Sequence, residues 1–201
     1  MTRVLYSTLR AVFGPPFAIG FRLRTSGRPN VPAGPAILAA NHASFLDPVF
    51  IALGVGRPVR FLVAQEYYDD RKLNLLLRTL GTIPVGGSNR FLRSFRLIAE
   101  VLDHGGLVGI FPEGGITRDG TMKPFRNGAA TIALRLGAPV IPIHVGGTFQ
   151  ALPRHAKWPR FVPVTIRFGK AIVVPVRHDP SRDEAAALTG TIRGAVAALA
   201  S

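Results

Sequence analysis

Short apolar runs alternate with segments of helical periodicity along most of the chain, and this alternation limits the folds that it can adopt. The apolar runs predict strands at 36–40, 59–64, 82–85, 107–111, 140–145, 164–168 and 171–175. The periodic segments predict helices at 48–54, 73–80, 89–103 and 127–136, and a final helix whose capping box is formed by Ser181 and Glu184. Such alternation is typical of an α/β fold with a mainly parallel mixed sheet flanked by helices. The last two strands are predicted to form a hairpin around Gly169-Lys170.

Length and residue types limit the chemistry. The 201 residues, 47% of them hydrophobic, suffice for one domain with a sizeable core. The absence of cysteine excludes disulfides, thiolate catalysis and cysteine metal ligands. The five histidines have no metal-ligand spacing such as H-E-x-x-H, so we expect no bound metal.

The chain is strongly basic, with 25 lysines and arginines against 11 acidic residues and a net charge of +14. This excess predicts an anionic partner: phospholipid head groups, acyl carrier protein, the phosphates of coenzyme A or nucleic acid. Nucleic acid is the weakest of these, because the sequence has no recognisable nucleic-acid module and no run of five basic residues. Alternatively, an arginine-rich codon bias could supply much of the excess without any function attached.

The first 24 residues are mainly apolar but are too short and too interrupted to cross a bilayer. Pro15-Pro16 is expected to divide them, and Leu5, Leu9, Val12 and Phe13 form an apolar stripe in the first half. This pattern predicts an interfacial membrane helix at 1–24, followed by the main domain at 25–201. A helix packed on the core of its own domain is the alternative. The basic loop 146–163 similarly suits either lipid contact or solvent.

A possible catalytic pair follows the first long buried strand. His42 precedes Asp47 by five residues, and Pro48 after Asp47 predicts that this carboxylate caps a helix N-terminus, where the two side chains can meet. Histidine is the side chain best suited to removing a proton from a hydroxyl near neutral pH, and a carboxylate can orient it. Ser44 is a poor candidate nucleophile, because its flanks lack the Gly-x-Ser-x-Gly elbow. If the substrate itself supplies the hydroxyl, such a pair suffices for direct acyl transfer. Taken alone, the two residues are better explained by a hydrogen bond of His42 at a strand end and a helix cap at Asp47.

A second strand, 107–111, also ends in a polar, glycine-rich segment, Pro112 to Gly120. In an open α/β sheet, ligand sites gather outside the carboxyl ends of the strands. We therefore expect this loop and the His42 loop to face one crevice.

Four sequence blocks resemble those of the glycerolipid acyltransferase family, which includes the 1-acylglycerol-3-phosphate acyltransferases. Residues 41–47 are similar to the N-H-x-x-x-x-D motif, and Phe111-Pro112-Glu113-Gly114 is similar to the start of F-P-E-G-T-R-S. Residues 81–85 and 140–143 are similar to the second and fourth blocks. The four blocks occur in the family's order, which is more specific than any one motif. The chain is therefore identified as a member of this family, which implies a glycerol-3-phosphate acyltransferase-like fold.

The resemblance implies that His42 is the general base and that Asp47 orients it. The donor would be acyl-CoA or acyl-ACP, a co-substrate, with no further cofactor. The acceptor would be 1-acyl-sn-glycerol-3-phosphate, giving phosphatidic acid. Another lysolipid or lipid acceptor and a non-catalytic membrane-binding module are the alternatives. The lipid substrate implies a peripheral or monotopic protein on the cytoplasmic face of the membrane, and we expect a monomer.

The resemblance also assigns acceptor binding to Glu113, Gly114, Gly115 and an arginine, but the family's arginine positions hold Ile116 and Gly86. Arg118 is the first substitute and Arg90 the second. A guanidinium fork suits a phosphate because it can bind two oxygens at once. Lys123 and Arg126 follow closely and either share the phosphate or face solvent. The donors for the oxyanion are expected in the Gly114-Gly115 turn or near block four.

Overall fold

A computed structural model of the protein describes residues 3–86 and 91–201, which form one α/β domain. The strands are β1 (Arg24–Ser26), β2 (Ala36–Ala40), β3 (Val59–Ala64), β4 (Ile83–Val85), β5 (Leu107–Ile110), β6 (Val140–Gly146) and β7 (Thr165–Phe168). The helices are α1 (Arg3–Gly20), α2 (Asp47–Val55), α3 (Gln65–Asp69), α4 (Asn74–Thr79), α5 (Phe91–Asp103), α6 (Gly128–Leu136), α7 (Thr148–Ala151) and α8 (Arg182–Ala198). A 3-10 turn spans Arg28–Asn30.

The strands form one sheet in the order β1-β7-β6-β2-β5-β3-β4. Strands β2 to β6 run in parallel, while β7 is antiparallel to β6 and carries β1 parallel to itself at the edge. The predicted mixed, mainly parallel sheet is therefore confirmed. The central strand β2 consists of five fully buried small or aliphatic residues, as expected of a parallel strand covered on both faces.

The two faces of the sheet build separate apolar layers. Leu38 points into a layer with Phe21 at the end of α1 and Phe50 of α2. Its neighbours Ile37 and Ala39 point into the opposite layer, with residues of α5, α6 and α8. This alternation follows from the two-residue side-chain period of a strand. It leaves the carboxyl edge of the sheet open for loops.

The N-terminal segment is one continuous helix, so the expected division at Pro15-Pro16 is wrong. The helix continues because its face packs on the domain: the Tyr6 hydroxyl donates to Ala52 O at 2.8 Å, and Phe17 stacks on Phe21 at 5.7 Å between ring centroids. These contacts offset the hydrogen bonds that proline cannot donate. Within the described residues, no helix has the length and apolar character that a membrane span requires.

The predicted hairpin around Gly169-Lys170 is wrong. Instead of turning back on β7, the chain continues along β6, with Gly169 N donating to Pro142 O at 2.8 Å. Beyond it, Ile172 forms an isolated antiparallel bridge with Val140. This pairing is shifted by one residue from the β6–β7 register, so no regular strand forms at 171–175.

The other predicted strands and helices match within two residues over the part of the chain that is described. The capping box of α8 is confirmed, since the Ser181 hydroxyl accepts from Glu184 N and the Glu184 carboxylate accepts from Ser181 N. The short elements β1, α3 and α7 were not expected from the sequence. The start of the predicted helix 89–103 lies partly outside the described residues.

Candidate active site

The loops after β2 and β5 leave the sheet side by side. The register pairs Ala39 with Ile110, so Asn41 and Phe111 begin their loops at the same edge of the sheet. The two loops are bonded to each other: Thr117 N donates to His42 O at 2.9 Å. The two loops therefore lie against each other at the carboxyl edge of the sheet.

His42 and Asp47 meet as their spacing predicts. His42 Nδ1 lies 2.8 Å from Asp47 Oδ2. The imidazole side chain is 15% exposed, while the Asp47 side chain is completely buried. Because the carboxylate engages Nδ1, Nε2 is the ring nitrogen left to act on a substrate. The arrangement is that of an oriented general base.

The Asp47 carboxylate also shapes the turn that carries the histidine. Oδ2 accepts from the backbone N–H groups of Ala43 at 2.7 Å and Ser44 at 2.8 Å. The expectation that Asp47 is an N-cap is wrong: Leu46 occupies that place and Asp47 is the first residue of α2. The carboxylate does not cap α2. It points back over the preceding turn and bonds to that turn and to His42 instead.

The imidazole rests on a stack of aromatic rings. His42 stacks on Phe111 with 4.0 Å between ring centroids and 15° between planes, and Phe111 stacks on Phe61 at 5.7 Å and 11°. Phe61 in turn covers Gly109, where an added Cβ would fall 2.3 Å from the ring. The stack fixes the plane of the imidazole from the apolar side. Phe111 belongs to a family motif, but the sequence alone predicts no role for it.

Glu113 joins the two loops from a buried position. Its Oε1 accepts from His42 N at 2.8 Å, and its Oε2 accepts from Lys123 N at 3.0 Å. Burial raises the pKa of this carboxyl, and the two backbone hydrogen bonds oppose that shift. The family resemblance predicts that Glu113 binds the acceptor, whereas the hydrogen bonds described for it are with the protein backbone.

Asn41 is a further site residue that sequence analysis did not single out. Its amide donates to Val145 O at 2.9 Å and accepts from Val145 N at 2.8 Å. The side chain is buried, so this pair of bonds anchors the start of the His42 loop to β6. The sequence signal for it is a polar residue directly after five apolar ones.

Ser44 has a structural role. Its hydroxyl donates to Leu152 O at 2.8 Å and accepts from Leu46 N at 3.2 Å, and the residue is fully buried. It joins the His42 turn to the loop at 146–163. A buried hydroxyl held in this way has no access to a substrate.

Of the two arginines predicted to bind the phosphate, the structure describes only one. Arg118 is exposed at the tip of the loop after Gly115, and Arg90 lies outside the described residues. Among the described residues, Arg126 and Lys123 have their cationic groups against the glycine turn. A Cβ on Gly114 would fall 2.8 Å from Arg126 Nε, and one on Gly115 would fall 3.8 Å from Lys123 Nζ. Gly114 N donates to Phe111 O at 3.1 Å, so that N–H is already used and is a poor oxyanion donor.

Other ionisable groups and cavities lie apart from this arrangement. Burial and the nearby Arg167 lower the pKa of His144 in β6. No group of three or more His, Asp or Glu side chains within residues 3–86 and 91–201 is placed to hold a metal ion. A cavity of about 1950 Å³ between α1, β3 and α5 has a basic lining but includes neither His42 nor Asp47.

Comparisons with known proteins agree with this geometry. A family model described as Acyltransferase matches residues 22–146. The chain is 28% identical over 137 residues to a chloroplastic 1-acyl-sn-glycerol-3-phosphate acyltransferase of Brassica napus, an alignment that covers 66% of this chain and 40% of that protein. It is 26% identical over 122 residues to the 1-acyl-sn-glycerol-3-phosphate acyltransferase of Bacillus subtilis (strain 168), which covers 60% of each chain.

The chain also resembles a solved structure. It superposes on the crystal structure of the 1-acyl-sn-glycerophosphate (LPA) acyltransferase PlsC from Thermotoga maritima with a TM-score of 0.70 and 23% identity. The superposition covers 99% of this chain and 83% of that chain, and it supports the fold described above. The chain spans 40% and 38% of the length of two plant relatives that it matches.

Proposed function

The chain belongs to the acyltransferase family, and from this premise we propose that it transfers a fatty acyl group from acyl-CoA or acyl-ACP to a lysophospholipid. The acceptor we favour is 1-acyl-sn-glycerol-3-phosphate, because similar proteins carry that name. The product would be phosphatidic acid. The observation that carries the proposal is the partly exposed imidazole of His42, held by the buried carboxylate of Asp47 at 2.8 Å.

The reaction we propose needs no protein nucleophile. His42 Nε2 takes the proton of the acceptor hydroxyl while the hydroxyl oxygen attacks the thioester carbonyl carbon. The tetrahedral intermediate collapses, the C–S bond breaks, and the leaving thiolate receives the proton from His42. Asp47 holds the ring through Nδ1 and stabilises the imidazolium formed between these steps. Glu113 and Phe111 act as positioning residues, through the His42 backbone and the face of its ring.

We place this reaction at the cytoplasmic surface of a membrane, where the lipid acceptor resides. The support is three strongly exposed apolar side chains, Ile19, Trp158 and Phe161, which are 77%, 83% and 67% exposed and which we call the apolar patch. Gly20 and the Phe161 ring lie together, since a Cβ on Gly20 would fall 3.1 Å from that ring. The loop that carries Trp158 and Phe161 also accepts the Ser44 hydrogen bond at Leu152 O, so this loop contacts the His42 turn.

The direct test is acyl transfer by the purified protein, with labelled oleoyl-CoA or oleoyl-ACP and a panel of lysophospholipids. We expect His42→Ala and Asp47→Asn to lower turnover by at least about a hundredfold, the lower range of general-base contributions. The matched controls His178→Ala and Asp179→Asn change exposed residues before α8 and should retain activity. Circular dichroism and thermal unfolding would show that the variants are folded.

Two results would contradict the proposal. Full turnover in both His42→Ala and Asp47→Asn would refute the mechanism. Vesicle binding by the wild type without turnover for either donor would instead favour a non-catalytic module, a reading motivated by the departures from the family motif at Gly86 and Ile116.

A further inference from the structure

The glycine turn of this chain lacks the cation that its family pattern provides. Position 116, where the F-P-E-G-T-R-S motif has arginine, is isoleucine, and its side chain is 8% exposed within the protein. A phosphate on the acceptor would therefore need a cation from another segment of the chain. The candidates are the cations that lie against this turn.

Lys123 reaches the position of the missing arginine from the next segment of the loop. Its Nζ donates to the backbone oxygen of Ile116 at 3.4 Å. Its own backbone N–H is fixed by Glu113 at 3.0 Å. The Glu113 carboxylate thus fixes the backbone of Lys123 as well as that of His42, while the ammonium lies beside the backbone of residue 116.

Arg126 lies over the other half of the turn. Its backbone N–H donates to Pro112 O at 2.9 Å. An added Cβ on Gly114 would fall 2.8 Å from Nε and 2.9 Å from Cζ of its guanidinium, so the glycine makes room for this group. Gly114 also has φ 70°, a conformation that favours glycine. Arg126 remains exposed, which leaves its outer N–H donors open to a ligand.

Arg118 is less suited to binding a phosphate than Lys123 and Arg126. The next residue, Asp119, accepts hydrogen bonds from Thr117 Oγ1, Thr121 N and Thr121 Oγ1. These bonds from Thr121 and Thr117 lower the pKa of Asp119 to about 2, so the carboxylate remains negative near neutral pH. A negative charge beside Arg118 opposes the binding of a phosphate there.

We propose that Lys123 and Arg126 together bind the phosphate of the acceptor, replacing the arginine that the turn lacks. The guanidinium supplies a fork for two phosphate oxygens and the ammonium supplies a compact charge. Both cations lie on the loop that is bonded to the His42 backbone, so a phosphate bound there would position the acceptor hydroxyl relative to the base. This inference rests on the proposed acyl transfer and deepens it.

The kinetic test compares Arg126→Gln, Lys123→Gln and wild type on 1-oleoyl-glycerol 3-phosphate presented in neutral phosphatidylcholine vesicles. We expect each variant to raise KM about tenfold with little change in kcat, the scale of one lost charge-assisted hydrogen bond. Arg193→Gln removes one charge from exposed α8 and is the matched control, with KM unchanged. Arg118→Gln tests the competing arginine and should change KM less than about twofold.

A binding measurement separates this inference from the proposed catalysis. Binding to the same vesicles is measured with 1-oleoyl-glycerol 3-phosphate and with 1-oleoylglycerol, which lacks the phosphate. A preference for the phosphate lipid that Arg126→Gln and Lys123→Gln reduce supports the site, even if the wild type shows no turnover. Loss confined to Arg118→Gln, or equal losses on both lipids, overturns it whatever the turnover.

Discussion

At the scale of single residues, the carboxylate of Glu113 links the two loops of the site. Its two oxygens accept from backbone N–H groups of two different segments, at His42 and Lys123. It therefore fixes the base and, in our inference, one of the phosphate-binding cations. A neutral amide in its place can accept one of these bonds, but its NH₂ group would face the other N–H.

We predict that Glu113→Gln lowers kcat about ten- to a hundredfold while KM for the donor changes little, because the amide cannot accept from both backbone N–H groups and the His42 loop is positioned less precisely. Steady-state kinetics on folded protein check this split. An unchanged kcat would contradict the positioning role. Glu184→Gln is the matched control, since Glu184 is exposed in α8 and far along the chain from the His42 loop.

The carboxyl groups of Glu113 and Glu184 are expected to make the free energy of unfolding depend on pH in opposite directions. Burial raises the pKa of Glu113 above its usual 4.5, so the stability that it contributes is present below 4.5 and is lost as the pH rises through the raised pKa. The Ser181 N–H, with Arg177, lowers the pKa of Glu184, so its contribution is present above 4.5 and is lost as the pH falls. Denaturant unfolding of wild type, Glu113→Gln and Glu184→Gln at several pH values should show these opposite trends, and parallel curves would contradict them.

The residue pair at the centre of the site could be predicted from sequence because it is local. The five-residue spacing of His42 and Asp47 and the proline at 48 sufficed to predict their contact. The role of Glu113 could not be predicted, since its partners are backbone groups 71 and 10 residues away. The basic residue that would bind a phosphate could not be chosen from sequence either. The sequence does not show which of the side chains after Gly115 fold back against the glycine turn.

At the scale of elements, the buried amide of Asn41 joins the end of β2 to β6. Its two hydrogen bonds to Val145 satisfy one backbone donor and one backbone acceptor in the interior. We predict that Asn41→Ala lowers the free energy of unfolding by about 2–4 kcal/mol, because both buried groups lose their partner. Asn127→Ala is the control and should change stability by less than about 0.5 kcal/mol, since Asn127 makes no side-chain cap to α6. Urea denaturation measures both, and equal losses would contradict the anchoring role.

The elements themselves show where local patterns suffice. Apolar runs and helical periodicity located the central strands because their burial on both faces demands such residues. The hairpin at Gly169-Lys170 was wrongly expected because a glycine-containing turn signal is local, whereas pairing with β6 is a long-range contact. The uninterrupted α1 was missed for a similar reason: its packing through Tyr6 and Phe17 is absent from the local sequence pattern.

At the scale of the whole molecule, the net charge of +14 and the apolar patch favour the same partner. Anionic lipid attracts the basic protein from solution, and apolar side chains that enter the interface contribute about 1.5–3 kcal/mol each when fully buried. Charge alone would make binding fall steeply with salt, because a Debye length is about 8 Å at physiological ionic strength. If the apolar patch inserts into the lipid interface, part of the vesicle binding should persist at high salt.

We therefore predict that a triple variant, Ile19→Ser with Trp158→Ser and Phe161→Ser, reduces binding to vesicles with anionic lipid by at least about tenfold at high salt, where the apolar contribution dominates. Val173→Ser and Val176→Ser remove exposed apolar residues that do not belong to the patch, and together they should leave vesicle binding unchanged. Sedimentation with vesicles at low and high salt measures the two contributions separately. Acyl transfer to a lysophospholipid dispersed in detergent should be retained in the triple variant, because its His42 and Asp47 are intact. Equal vesicle binding by wild type and triple variant at high salt would show that the patch does not enter the membrane.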